Sequence, residues 1–112
     1  MVGEFPYSTE FCTHRLKAIG DRIRWTIILL LIGGPKIVAE LHAAVEVDPT
    51  LLSHHLKILR DAGLITGQRT GKNIRYSLAP GVELTPSGSG LNLGCCRIAL
   101  NDGPPHDTTQ RG

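Results

Sequence analysis

Between Pro49 and Tyr76 the sequence gathers hydrogen-bonding and cationic side chains, first at helical and then at hairpin spacing. They are Thr50, Ser53, His54, Lys57 and Arg60, followed by Arg69, Lys72, Asn73 and Arg75. Their shared chemistry is recognition of a polyanion: hydroxyl, imidazole and amide groups suit base edges, and Lys and Arg suit phosphate oxygens. The charge distribution agrees. Residues 49–76 hold five cations against one carboxylate, Asp61, a net of +4, whereas residues 1–48 and 77–112 each come to −1. The modest total of +2 therefore hides a local basic footprint, which is what neutralisation of phosphates requires.

The three cysteines, Cys12, Cys95 and Cys96, are the soft ligands of the chain. Three thiolates suit a trigonal site for As(III) or another thiophilic ion, so this trio is the candidate metal site. Two observations oppose it. Cys12 shares a helical stripe with Leu16 and Ile19, the usual setting of a buried structural cysteine. In a regular strand, moreover, Cys95 and Cys96 point to opposite faces, although Gly94 would allow a bulge that brings them together. Asp102 with His106 is a weaker pairing still. No Cys-x-x-Cys motif and no positioned nucleophile–base pair supports a thiol enzyme. The chain reads as a non-enzyme with no resident cofactor.

One amphipathic helix and one hairpin must position the polar residues. Asp48 suits an N-cap, Pro49 the first helical position, and Gly63 the C′ position that ends the helix. At about 100° per residue, Leu51, Leu52, His55, Leu56, Ile58, Leu59 and Ala62 fall on an inward arc, and Thr50, Ser53, His54, Lys57, Arg60 and Asp61 on the outward one. This places His55 as a core histidine and His54 as an outward donor. Leu64–Arg69 and Ile74–Leu78 then read as strands around a Thr70-Gly71-Lys72-Asn73 turn, with Arg69, Lys72 and Arg75 clustered at the exposed side and tip. A reading helix followed by a basic hairpin is how a winged helix-turn-helix grips duplex DNA.

Upstream, the pattern predicts helices over Thr9–Ile19, from Asp21 to Ile32, and over Lys36–Val45 with Pro35 opening the third. The expected fold class is α+β: a mostly helical winged helix-turn-helix with a β-hairpin wing and an extra C-terminal strand. The domain reading is a flexible start at 1–8, a DNA-binding domain at 9–80, a loop and strand at 81–100, with Leu91–Leu100 as the strand, and a disordered tail at 101–112. A winged helix can also serve as a protein–protein docking module. A docking face would not need five cations on the helix and hairpin.

Several stretches together resemble the ArsR/SmtB family of bacterial winged-helix repressors. They are Leu16-Lys-Ala-Ile-Gly-Asp-Arg-Ile-Arg24, Ile27–Leu31, Ala39-Glu-Leu41, Ser53-His-His-Leu-Lys-Ile-Leu-Arg-Asp-Ala-Gly-Leu64 and Gly71-Lys-Asn-Ile-Arg-Tyr76. The resemblance implies a homodimeric, sequence-specific repressor that binds double-stranded DNA, often with an affinity that drops when a metal or metalloid binds. The chain departs from it at both familiar sensor sites. Ile37 and Ala39 stand where thiol-type members carry cysteines. Pro80, Pro86 and Ser87-Gly-Ser-Gly90 oppose the C-terminal helix that bears the ligands of zinc-type members.

At 112 residues and 41% hydrophobic content, the chain supports one small core. The apolar run 25–32 is too short to span a bilayer. No secretory leader pattern opens the sequence, and the odd cysteine number suits reduced thiols in the cytoplasm.

Overall fold

A computed structural model describes residues 9–100. The expected flexible start, the disordered tail and the Asp102–His106 pair lie outside the described residues. In chain order the elements are α1 (Thr9–Ile19), α2 (Arg22–Ile32), β1 (Lys36–Ile37), α3 (Val38–Val45), α4 (Pro49–Asp61), β2 (Ile65–Thr70), β3 (Asn73–Leu78), β4 (Glu83–Leu84), β5 (Gly90–Asn92) and β6 (Arg97–Ala99). The class is α+β, as the sequence predicts. Among the described residues, no helix is long and apolar enough to cross a membrane.

The first two helices start and stop where the sequence places them. Asp21 caps α2, its Oδ2 accepting from the amides of Ile23 (2.8 Å) and Arg24 (3.1 Å), two of the donors that a helix start leaves without partners. The third helix begins later than expected. Lys36 and Ile37 form a short strand paired with Tyr76 and Arg75 of β3, so Pro35 does not open a helix. Ile37 is extended (φ −83°, ψ 163°), a conformation suited to its β-branched side chain. Its amide donates to Glu40 Oε1 at 2.9 Å, which caps α3 at Val38 instead.

The sheet order β1-β3-β2 is antiparallel throughout, with Ile65 opposite Leu78 and Thr70 opposite Asn73. The β2–β3 turn is thus two residues, Gly71 and Lys72, with Gly71 at φ +63°, a conformation that favours glycine.

Residues 79–100 depart most from expectation. In place of a loop and one strand they make a second antiparallel sheet, β4-β5-β6. The expected strand Leu91–Leu100 is folded back on itself: Leu91 pairs with Ile98, around a turn in which Gly94 adopts φ +92°. The sheet belongs to the main core, since Leu91 and Leu93 are fully buried in one cluster with Ile27, Ile28, Leu31, Leu41, Leu52, Leu59, Leu64 and Ile65. No closing helix follows the wing among the described residues, in keeping with its Pro and Gly content.

Candidate nucleic-acid interface

The outward face of α4 is built from its ends inward. At the N-terminus Asp48 Oδ2 accepts from the Thr50 amide at 2.8 Å, and Pro49 follows as the first helical residue. At the C-terminus Gly63 has φ +77°, its amide donates to Arg60 O (2.9 Å), and the Leu64 amide reaches back to Leu59 O (3.0 Å). That pair of bonds is a Schellman motif, which satisfies carbonyls otherwise left open. A three-residue turn joins α3 to α4. It is held by His42 Nε2–H donating to Val47 O at 2.8 Å, and its first residue, Glu46, has φ 52°.

The inner face of α4 carries Leu52, His55, Leu56 and Leu59, all buried. His55 locks the helix to the α1–α2 corner. Arg24 Nη1 donates to His55 Nδ1 at 3.0 Å, and Arg24 Nε donates to the Ala18 carbonyl at the end of α1. Because a guanidinium only donates, His55 Nδ1 must hold a lone pair and the ring is the Nε2–H tautomer. Burial first, opposed by Asp21 (3.8 Å away) and reinforced by Arg24 and His54, holds the His55 pKa below its ordinary value. Asp21 is pushed down in turn, chiefly by the Arg24 amide and then by the Arg24 guanidinium and His55. The sequence identified Asp21 as a cap and His55 as core. It gave no signal for Arg24, whose partners come from two other helices.

All of the residues singled out for contact are exposed: Thr50, Ser53, His54, Lys57 and Arg60 on α4, and Arg69, Lys72, Asn73 and Arg75 on the wing. Two details of their placement were not foreseen. Lys57 Nζ donates to Asp61 Oδ2 at 2.7 Å, a contact that leads the lowering of the Asp61 pKa. An exposed i,i+4 pair of this kind is strongly screened by solvent and weak, so the ammonium stays available to an anion. On the wing the arginines do not share one exposed side. Arg69 lies opposite Ile74, and Arg75 opposite Gln68, so they stand on opposite faces of the hairpin with Lys72 at its tip. The wing therefore presents cations on both faces. Its root is fixed by Tyr76, which is buried and crosses Gly67 so closely that a Cβ there would stand 2.9 Å from Tyr76 Cε1.

One inward assignment is corrected. Leu51, placed by its angle on the core arc, is 43% exposed. The core cluster that covers Leu52, Leu56 and Leu59 does not extend over the outer margin of the first turn. Helical angle cannot show where packing partners run out.

The C-terminal turn brings Cys95 Sγ to 3.7 Å from Cys96 Sγ, so the two thiols do not diverge as they would in a regular strand. Cys12 is half-buried and meets the Cys95 carbonyl (Sγ–O 3.9 Å). Its expected stripe is not a core stripe, since Leu16 is exposed. Hydrogen bonding to Cys95, then burial, pushes the Cys12 thiol up, which disfavours the thiolate that binds soft ions. Among the described residues no group of three or more His, Cys, Asp or Glu side chains is placed to hold a metal ion. The nearby clamp is made by Arg15 instead. Its Nη1 donates to Leu93 O at 2.7 Å, and its guanidinium stacks 4.4 Å from the Phe11 ring.

Comparison with known proteins places this geometry in a wider group. Residues 21–66 match the model of the family described as "Bacterial regulatory protein, arsR family". The chain is 42% identical over 64 residues to the HTH-type transcriptional repressor SmtB of Mycobacterium tuberculosis, a match covering 57% of this chain and 47% of that one. It is 39% identical over 62 residues to the transcriptional repressor SdpR of Bacillus subtilis, covering 55% of this chain and 69% of the relative. The chain thus spans about half the length of SmtB and over two thirds of SdpR. Among solved structures, it is similar to the homodimeric winged helix-turn-helix DNA-binding domain Mb0332 of Mycobacterium bovis. The TM-score is 0.59 at 25% identity, over 66% of this chain and 74% of the other.

Proposed function

The chain belongs to the arsR family of bacterial regulatory proteins, and we propose that it is a sequence-specific repressor of transcription, binding duplex DNA as a homodimer in the cytoplasm. The observation that carries this reading is the pair of exposed basic surfaces on α4 and the wing, Lys57 and Arg60 on one and Arg69, Lys72 and Arg75 on the other. In such an arrangement α4 enters the major groove, Thr50, Ser53 and His54 at its N-terminal end face base edges, and the cations engage phosphates. The names of SmtB and SdpR as repressors support the regulatory role. The homodimeric state of Mb0332 supports two copies. So does α1, which leaves Phe11, stacked on Arg15, and Leu16 exposed.

A protein-docking role gains no support from a surface so rich in cations. A gel-shift titration against genomic fragments of the source organism tests the reading. Enrichment of one or a few fragments at salt near 150 mM is expected, with a markedly weaker background on the rest. Equal, weak retention of all fragments would contradict sequence specificity, and no retention would contradict DNA binding.

A further inference from the structure

Leu51 is an exposed apolar residue at the edge of the polar face of α4. On its side of the helix His54, at i+3, is exposed and polar and Ile58, at i+7, is half-buried, while Leu51 keeps 43% of its surface in water in the first turn of the helix. The inner side of that turn is already filled by Leu52, which is buried. At about 100° per residue, Leu51 stands roughly 60° around the helix from His54, and a helical Cβ tilts toward the N-terminus. The side chain therefore leans toward the capped end of α4, beside the groups that face base edges under the DNA-binding reading. Among the groups that base pairs offer in the major groove, the C5-methyl of thymine is the apolar one, and apolar side chains recognise it.

We propose that Leu51 is a specificity-determining residue that packs against the 5-methyl group of a thymine in each half-site. The proposal rests on the DNA-binding reading and adds the class of base met at the edge of the helix. Contact of this kind removes both the leucine side chain and the thymine methyl from water without requiring a hydrogen-bonding partner. It gives the protein a means of telling thymine from cytosine without a hydrogen bond.

Uracil in place of thymine tests this directly, because it deletes the methyl and leaves every hydrogen-bonding group unchanged. The full chain is first used to select its preferred site from a random-sequence pool, and each thymine of the half-site is then replaced singly by deoxyuridine. At one position the parent protein is expected to lose about fourfold in affinity, the factor that corresponds to about 0.8 kcal/mol for one buried methyl-sized group. Leu51→Ala is expected to bind the thymine site more weakly and to bind the thymine and uracil forms of that position equally. Circular dichroism of the variant should match the parent, since alanine favours helix and the site is exposed. Absence of any uracil-sensitive position overturns the proposal. So does persistence of the uracil effect in Leu51→Ala, including the case in which the variant weakens binding uniformly. A pool in which nothing is enriched would overturn the DNA-binding reading itself and this proposal with it, a result distinct from enrichment without uracil sensitivity.

Discussion

His55 couples α4 to the rest of the fold through a protonation state. With Nδ1 accepting from Arg24, a proton on that nitrogen removes the acceptor and sets two cations against each other. Because the folded pKa is lowered from its ordinary 6.5, the unfolded chain binds the proton more readily. The stabilisation is complete above about pH 6.5 and is lost as pH falls through the lower folded pKa. Melting temperature in the parent should therefore decline on acidification below that point, well before the carboxylates titrate. His55→Asn, which retains an acceptor near the Nδ1 position, should flatten this decline while lowering stability by about 1–3 kcal/mol through lost packing and imperfect hydrogen bonding. An unchanged acid-side decline in the variant would show that another group carries it.

The cysteines invite a second prediction at this scale. Hydrogen bonding and burial raise the Cys12 thiol pKa, and an ion would release DNA only by favouring a DNA-incompetent state, since one bound equally by both states shifts nothing. Replacing Cys95 and Cys96 together by Ser should leave operator affinity within a few-fold of the parent, and micromolar As(III) should not release the parent from DNA. Release by As(III) that disappears in the double variant would contradict this. Individual residues were unevenly legible in sequence. The burial of His55 followed from its angle on the helix. The exposure of Leu51 did not, because it depends on where the covering elements stop. The approach of Cys95 to Cys96 depended on a turn at Gly94 that the sequence allowed without requiring.

At the scale of elements, the wing depends on one glycine. Gly67 faces Tyr76 across the β2–β3 ladder, and an added Cβ would stand 2.9 Å from the ring and 3.2 Å from Ile74 Cγ2. Gly67→Val should displace Tyr76 from its buried seat and destabilise the fold by about 1–3 kcal/mol, the usual range for overpacking. Thermal denaturation checks this, and a melting temperature equal to that of the parent would contradict the packing described. Elements with local signals were legible: α1, α2 and α4 follow from caps and apolar period, and the hairpin from Gly71 and alternation. β1 was not, because two residues carry no period and are defined only by pairing with β3. The second sheet was read as a loop and a strand because its strands are two or three residues long and owe their order to burial of Leu91 and Leu93 under the helices.

The whole molecule combines a helical core, a basic reading surface and a wing with cations on both faces. Its net charge is small, so under the proposed DNA-binding role long-range attraction would come from the local concentration of charge on residues 49–76. This was the most legible property of the chain, since it requires only counting charges along the sequence. The orientation of Arg69 and Arg75 on opposite faces required the register. The measurement that tests the DNA-binding account most directly is the salt dependence of affinity for a selected site, compared among the parent, Lys57→Glu and Arg75→Glu. Each variant should fold normally by circular dichroism, bind all sequences more weakly, and show a plot of log affinity against log salt flatter by about one unit per lost phosphate contact. Unchanged affinity and slope in both folded variants would contradict the claim that α4 and the wing grip DNA.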